Sequence, residues 1–303
     1  RGWIFQENSL ARRTIHFTKL GVIYECRHPN HNLRLRAENT ALLRVTKDNF
    51  NRIPIRPHNL AAAYRMWHKC VEKYFPLSLG YESDRLIAVG GLAQGISRSL
   101  DDSLGPDAYL AGLWSRNLAA ELCWRLDRND GYLPATVSKP HASSRDIHLD
   151  DYVAPSWSWA CVRGSRLHMT STSKYFESMV DLKTHDLAAK EGYLADEKGC
   201  FGKIQRCSIT LVAPKREMRI RTTNHDPPRL GPIIATGLHK EEVERPLSVF
   251  IDTALHVSTG HEANVHCILV GRDDTKIHGL VLTNAVRSKG AFARVGYFCT
   301  DNL

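Results

Sequence analysis

Ala154-Pro155-Ser156-Trp157-Ser158-Trp159-Ala160 is the stretch where the pattern of this 303-residue chain changes. Large and small side chains alternate there with period two, which predicts a strand that carries Trp157 and Trp159 on one face. Upstream, apolar residues recur at helical spacing. Asn59 is placed to cap a helix whose apolar face is Leu60, Ala63, Tyr64, Trp67, Cys70, Val71 and Tyr74, with Arg65, His68, Lys69, Glu72 and Lys73 on the other face. Pro76 ends it, because proline brings no amide hydrogen and disfavours helical geometry in the residue before it. A second helix is expected from Ser83 or Asp84 through Leu86, Ile87, Val89, Leu92 and Ile96. Its Gly90-Gly91 pair costs about 1 kcal/mol per glycine relative to alanine, which predicts a close contact with another element. A third helix is expected after Pro106, with Leu110, Trp114, Leu118 and Leu122 four apart.

Downstream the chain reads as strands: Cys207 to Ala213, Leu247 to Ile251, Val265 to Val270, Ile277 to Thr283 and Arg294 to Phe298. The loop Gly271 to Lys276 predicts a hairpin between the third and fourth of these. Near the start, Thr14 to Phe17 and Val22 to Cys26 form a second expected hairpin. The fold class is therefore α+β, in three regions: residues 1–57, a helical region 58–164 ending in the Ser-Trp-Ser-Trp strand, and a β-rich region 165–303.

Composition narrows the function. Apolar residues make up 43% and charged residues 24%, as in an ordered globular chain. No apolar run approaches the roughly 20 residues that a membrane helix needs, so no membrane span is expected. The net charge of +9 would favour approach to nucleic acid. Its basic residues nevertheless fall in scattered groups such as Arg12-Arg13, Arg34 and Arg36, and Lys215-Arg216, without a recognition motif, so no specific nucleic-acid partner is expected. The eight cysteines stand singly, with no Cys-x-x-Cys pair, which fits reduced thiols and a cytoplasmic location.

Four blocks together resemble the fungal heterokaryon incompatibility (HET) domain family. The first is Arg1-Gly2-Trp3-Ile4-Phe5-Gln6-Glu7, followed by Ala11-Arg12-Arg13-Thr14-Ile15-His16-Phe17, similar to the last characteristic segment of that domain. The second is Tyr24-Glu25-Cys26-Arg27. The third, Ser83-Asp84-Arg85-Leu86-Ile87-Ala88-Val89-Gly90-Gly91-Leu92-Ala93, is similar to a helix of these proteins. The fourth joins Tyr109-Leu110-Ala111-Gly112-Leu113-Trp114 to the Ala154–Ala160 stretch. Gly279 to Leu282 and Arg294 to Phe298 resemble the end of the same proteins more loosely. Two departures stand out: the earlier HET segments are missing, and Tyr74 to Gly80 lacks the hydroxyl and basic group usual at that loop. A chain that opens on Arg1 inside such a motif is expected to be a fragment, an incomplete HET-domain remnant.

The resemblance implies fungal non-self recognition, in which a HET protein triggers cell death after cell fusion by way of a protein partner. It also implies, as the enzymatic alternative for a complete domain, NAD hydrolysis of the TIR type, with NAD as substrate rather than bound cofactor. A truncated product without activity is the third reading, and the fragment alone is expected to be inert. Within that resemblance Glu7 is the candidate catalytic carboxylate and Trp3 the candidate NAD-contacting aromatic. In a helix over residues 2–10, Trp3, Glu7 and Leu10 would share a face and place the carboxylate beside an apolar stripe. Such a carboxylate could stabilise the oxocarbenium-like centre formed when the nicotinamide glycosidic bond breaks. Its structural alternative is an ion pair with Arg1, Arg12 or Arg13.

Other constellations are weaker. Cys26, His28 and His31 offer three ligands but no evident fourth, so no metal is expected; His256, His261 and His266 near Cys267 read as ordinary strand and loop residues. Trp67, Trp114, Trp124, Trp157 and Trp159 fit core packing better than a base-stacking platform. No Gly-Lys-Ser/Thr follows Gly90, Gly91 and Gly95, so they form no phosphate loop.

Overall fold

The computed structural model describes residues 1–19, 21–26, 59–98, 107–126, 152–169, 176–190, 192, 199–221, 248–251, 262–285 and 290–301. The protein is mixed α and β, with a β-rich C-terminal region.

The N-terminal segment is helix α1 (Gly2–Leu10) followed by an antiparallel hairpin of β1 (Arg13–Thr18) and β2 (Gly21–Cys26), as expected. Helix α2 (Leu60–Tyr74) starts where its cap predicts: the Asn59 side chain accepts from the Ala62 amide at 2.8 Å. Its buried face includes the expected Ala63, Tyr64, Trp67, Cys70, Val71 and Tyr74, together with Met66 and His68. The placement of His68 on the polar face is thus corrected: a buried carboxylate holds it inside. A single 3-10 turn, Glu82–Asp84, precedes helix α3 (Ile87–Ser97). A β-carbon on Gly90 would lie 1.9 Å from the Phe201 carbonyl oxygen, and one on Gly91 would lie 2.9 Å from Leu10 Cδ1. Close approach is therefore the reason for both glycines.

The expected third helix is not there. Tyr109–Leu110 (β3) and Leu113–Trp114 (β4) form a two-residue hairpin around Ala111 (φ 47°) and Gly112 (φ 100°). Two successive positive φ values are the geometry that a tight hairpin turn requires and a helix forbids. Only Leu118–Glu121 (α4) is helical, after a 3-10 turn at Ser115–Asn117. The four-residue spacing of Leu110, Trp114, Leu118 and Leu122 comes from a hairpin and a helical turn in succession, and all four are buried.

The Ser-Trp-Ser-Trp strand is likewise absent. The Ser158 amide donates to the Pro155 carbonyl at 2.9 Å, closing a turn. Ser158 then caps a 3-10 turn, Trp159–Cys161, by accepting from the Ala160 amide at 3.1 Å. Both tryptophans are buried, but by a reversing chain and not by one sheet face.

Two short strands, Arg125–Leu126 (β5) and Leu167–His168 (β6), pair across the expected boundary at 164/165. Beyond them, Glu177–Ser178 (β7) pairs with Arg272 and Gly271; Asp181–Ala189 (β8) and Ile204–Val212 (β9) form their own hairpin. The main antiparallel sheet runs in the order Lys215–Arg221 (β10), Glu262–Arg272 (β12), Lys276–Asn284 (β13), Phe292–Asp301 (β14), Ser248–Ile251 (β11). Strands β8 and β10 carry too many polar and charged residues to be read from the sequence. The β12–β13 hairpin is as expected. Its turn is held by Asp273, whose Oδ1 accepts from the amides of Thr275 and Lys276 at 2.8 Å each.

One hydrophobic cluster runs from α2 and α3 through the 109–126 segment to Ile268, Val270, Leu280 and Tyr297 on one face of the sheet. A smaller cluster of Val265, Cys267, Val281, Val295 and Phe298 occupies the other face. The helical and β-rich regions thus share a core. Among the described residues no helix is long and apolar enough to cross a membrane.

Candidate functional site

Helix α1 is held by its small and amide-bearing residues. The buried Gly2 donates its amide to the Ser78 carbonyl at 2.8 Å, and a β-carbon there would meet Leu79 at 2.6 Å. Phe5 lies 5.9 Å from the Tyr74 ring. Gln6 Oε1 accepts from the Gly91 amide at 2.9 Å, and Leu10 packs over the same glycine. The attached side is therefore Gly2, Phe5, Gln6 and Leu10. Trp3 is 37% exposed and Glu7 is exposed. Successive helical residues are separated by about 100°, so the anchors at positions 2, 5 and 6 turn Glu7, and less fully Trp3, outward. The expected apolar surroundings of Glu7 are thus corrected: Trp3 and Glu7 share a helix face that looks to solvent, with Leu10 at its edge, half-buried against Gly91.

The fourth block makes a hydrogen-bonded aromatic knot. The Gly112 carbonyl accepts from the indoles of both Trp67, at 2.9 Å, and Trp159, at 3.0 Å. Ser158 Oγ donates to the Ala111 carbonyl at 2.6 Å. The Trp67 ring meets Tyr109 edge-on at 5.5 Å and Trp114 at 6.1 Å. The Trp67 and Trp159 indoles are thus satisfied by a backbone carbonyl of the hairpin turn, the usual requirement for burying tryptophan, whereas the Trp114 indole nitrogen has no hydrogen-bond partner among the described residues. A base-stacking role is ruled out for Trp67, Trp114, Trp124 and Trp159, all fully buried.

Beside this knot lies a polar pair that the sequence reading missed. His68 Nε2 and Glu121 Oε1 are 2.6 Å apart, with the residues 4% and 0% exposed. Asn117 Nδ2 donates to the same carboxylate oxygen at 3.0 Å. Burial pushes the His68 pKa down, but the facing Glu121 carboxylate outweighs it and leaves the pKa raised. Among the described residues neither His68 Nδ1 nor Glu121 Oε2 has a hydrogen-bond partner, so the short contact and the Asn117 bond offset the burial of the pair. Nearby, Tyr64 Oη donates to Asp107 Oδ2 at 2.6 Å, while Asp107 Oδ1 accepts from the Arg116 amide at 3.0 Å. These groups join α2 to the 107–121 segment and are closed to substrate. The available signal was position: His68 follows Trp67 in the densest part of the apolar face, and Glu121 adjoins Leu122.

A second histidine is buried at the sheet. His278 Nε2 is 2.9 Å from Asp273 Oδ2, and His278 Nδ1 is 2.6 Å from Tyr297 Oη. For Asp273, partial burial favours protonation. The Thr275 amide, His278 and the Lys276 amide outweigh it and hold the carboxyl down at about 2. The order carboxylate, imidazole, phenol could relay a proton, yet His278 and Tyr297 are both 3% exposed. His278 and Tyr297 are closed in the same way, while Asp273 reaches the surface in the turn. Arg294 then ties this sheet to the helical region: Nη1 donates to the Leu122 carbonyl at 2.5 Å, Nη2 to the Trp124 carbonyl at 2.6 Å, and the guanidinium lies 3.5 Å from the centre of the Trp124 ring.

Nucleophiles are suppressed as well. Burial pushes the thiols of Cys70, Cys207 and Cys267 up to about 12. No group of three metal-ligating side chains occurs among the described residues. His28, His31, His256 and His261 lie outside the described residues, and only the backbone of Cys26 is described. Chemistry at an accessible position is thus confined, among the predicted site residues, to Trp3 and Glu7. No protein-family model matches the chain, and no match was found among curated proteins or solved structures.

Proposed function

We propose that the protein is a heterokaryon incompatibility protein, acting in fungal non-self recognition and triggering cell death after incompatible fusion through a protein partner. What supports this reading is that the blocks that carry the resemblance meet in pairs. The first touches the third where Gln6 accepts from Gly91. The two halves of the fourth meet where the Trp159 indole and Ser158 hydroxyl reach the Gly112 and Ala111 carbonyls. These contacts hold the blocks together, across 85 and 47 residues of sequence, in one folded unit.

A specific observation keeps the enzymatic alternative in view: Trp3 and Glu7 stand side by side on an exposed face, on a helix fixed from behind. An NAD-cleaving site would need a carboxylate held in that manner, with the remaining walls supplied by a complete domain. The test is expression of the protein in a fungal cell, as wild type and as Glu7→Ala, with viability and NAD level followed together. Cell death without NAD loss in both forms is the expected result. NAD loss that vanishes in Glu7→Ala would replace partner signalling by NAD hydrolysis, and no effect from either form would make the protein an inactive product.

A further inference from the structure

The β1–β2 hairpin has an apolar face and nothing described that covers it. Register pairs Phe17 with Val22, which places them on one face together with Ile15. Ile15 is 55% and Phe17 83% exposed. Among the described residues no member of 11–26 joins either hydrophobic cluster, and the sheet has two strands only. A two-stranded hairpin by itself is marginal in water, so an added strand would stabilise this one.

The identity of the partner follows from spacing and charge. Side chains alternate across a strand, so Arg13, Ile15 and Phe17 share a face, and Lys19 follows in the turn just beyond the strand. Arg13 and Lys19 are exposed. Along β1 this face thus has two apolar residues, with Arg13 at one end of them and Lys19 in the turn beyond the other. A second copy of this chain would bring the same cations against them. The segment that follows, residues 27–58, is also basic, with Arg27, Arg34, Arg36, Arg44, Lys47, Arg52 and Arg56 against Glu38 and Asp48. An anionic lipid surface would answer the charge but leave the amide and carbonyl groups of the strand edges unpaired in an apolar medium, which is costly. An added strand satisfies both.

We propose that the hairpin is a docking edge for an acidic, extended segment of a partner protein, which adds as a third strand with the pattern acidic-x-apolar-x-apolar-x-acidic. Its apolar residues would cover Ile15 and Phe17, and its terminal carboxylates would face Arg13 and Lys19. This docking edge rests on geometry and charge, whether or not the protein acts in incompatibility.

The probe is the blocked heptapeptide Glu-Thr-Val-Thr-Val-Thr-Glu, titrated against the full chain at about 50 mM salt, where exposed charges are least screened. The same peptide with lysine at both ends is the control. The acidic peptide should bind about tenfold or more tightly than the basic one, and Phe17→Lys should weaken it by about tenfold or more. Val212→Lys, at another exposed apolar position, should leave binding unchanged, with an unaltered melting curve for both variants. Equal binding of the two peptides, binding that survives Phe17→Lys, or no peptide binding by a chain that still binds phosphatidylserine vesicles would each overturn the proposal.

Discussion

The N-terminal helix and the Gly112 knot both carry blocks of the same sequence resemblance, yet they spend their side chains in opposite ways. Around Gly112, the indoles of Trp67 and Trp159 and the hydroxyl of Ser158 are consumed in holding one hairpin turn in place. Along α1, only one side is consumed; Trp3 and Glu7 on the other side touch solvent. A recognisable motif in sequence can thus be a folding device in one place and a free surface in another. What separates them is whether the polar atoms of the motif already have protein partners.

That contrast can be broken or sharpened by substitution. The largest effect is expected at the polar pair beside the knot. Glu121→Ala removes the partner of a buried imidazole and should destabilise the fold by about 3–5 kcal/mol in denaturant unfolding. The same pair sets a pH dependence. Because the His68 pKa is raised in the fold above its ordinary 6.5, its stabilisation is complete below pH 6.5 and is lost as pH rises through the raised value. Wild-type melting temperature should therefore fall across that window, and the slope should flatten in Glu121→Ala.

Gly112→Ala comes next. It places a β-carbon 2.7 Å from Trp159 Nε1 at a residue with φ near +100°, so both packing and backbone suffer. A loss of about 2–4 kcal/mol is expected, with altered tryptophan fluorescence as the local report. Asn59→Ala removes the helix cap alone and should cost about 1 kcal/mol in the same unfolding measurement. The smallest effect belongs to α1. Glu7→Ala should change stability by no more than about 0.5 kcal/mol, as an exposed position away from caps and cores does. A larger loss there would mean that Glu7 is part of the folding machinery after all, and the contrast between the two regions would collapse.

Much of the fold was legible in the sequence where one physical signal was sufficient. Helix α2 announces itself through Asn59 and a continuous apolar face. The central strands β12, β13 and β14 do so through apolar runs bounded by turn residues. Legibility failed where two elements share one spacing. Leu110, Trp114, Leu118 and Leu122 fit a helix on paper, yet the positive φ values of Ala111 and Gly112 turn the chain back between the first two. It failed again at β8 and β10, whose pairing depends on backbone hydrogen bonds that their polar side chains do not advertise. The candidate site divides in the same way. Trp3 and Glu7 could be named from the sequence, but the direction they face depends on Gly2, Gln6 and Leu10 finding Ser78 and Gly91. His68, Glu121, His278 and Asp273 were not found at all.

The sequence by itself determined the class of fold, the places of α2 and of the inner strands, and the blocks around Gly91 and Gly112 that pack on one another. These depend on side-chain periodicity and capping, which are local properties. Only the tertiary structure decided that Glu7 faces outward, that His68 is a buried charge partner, and that Ser158 and Trp159 serve a turn about 47 residues earlier. Those outcomes depend on which distant backbone group satisfies which side chain, and no local pattern encodes such a pairing.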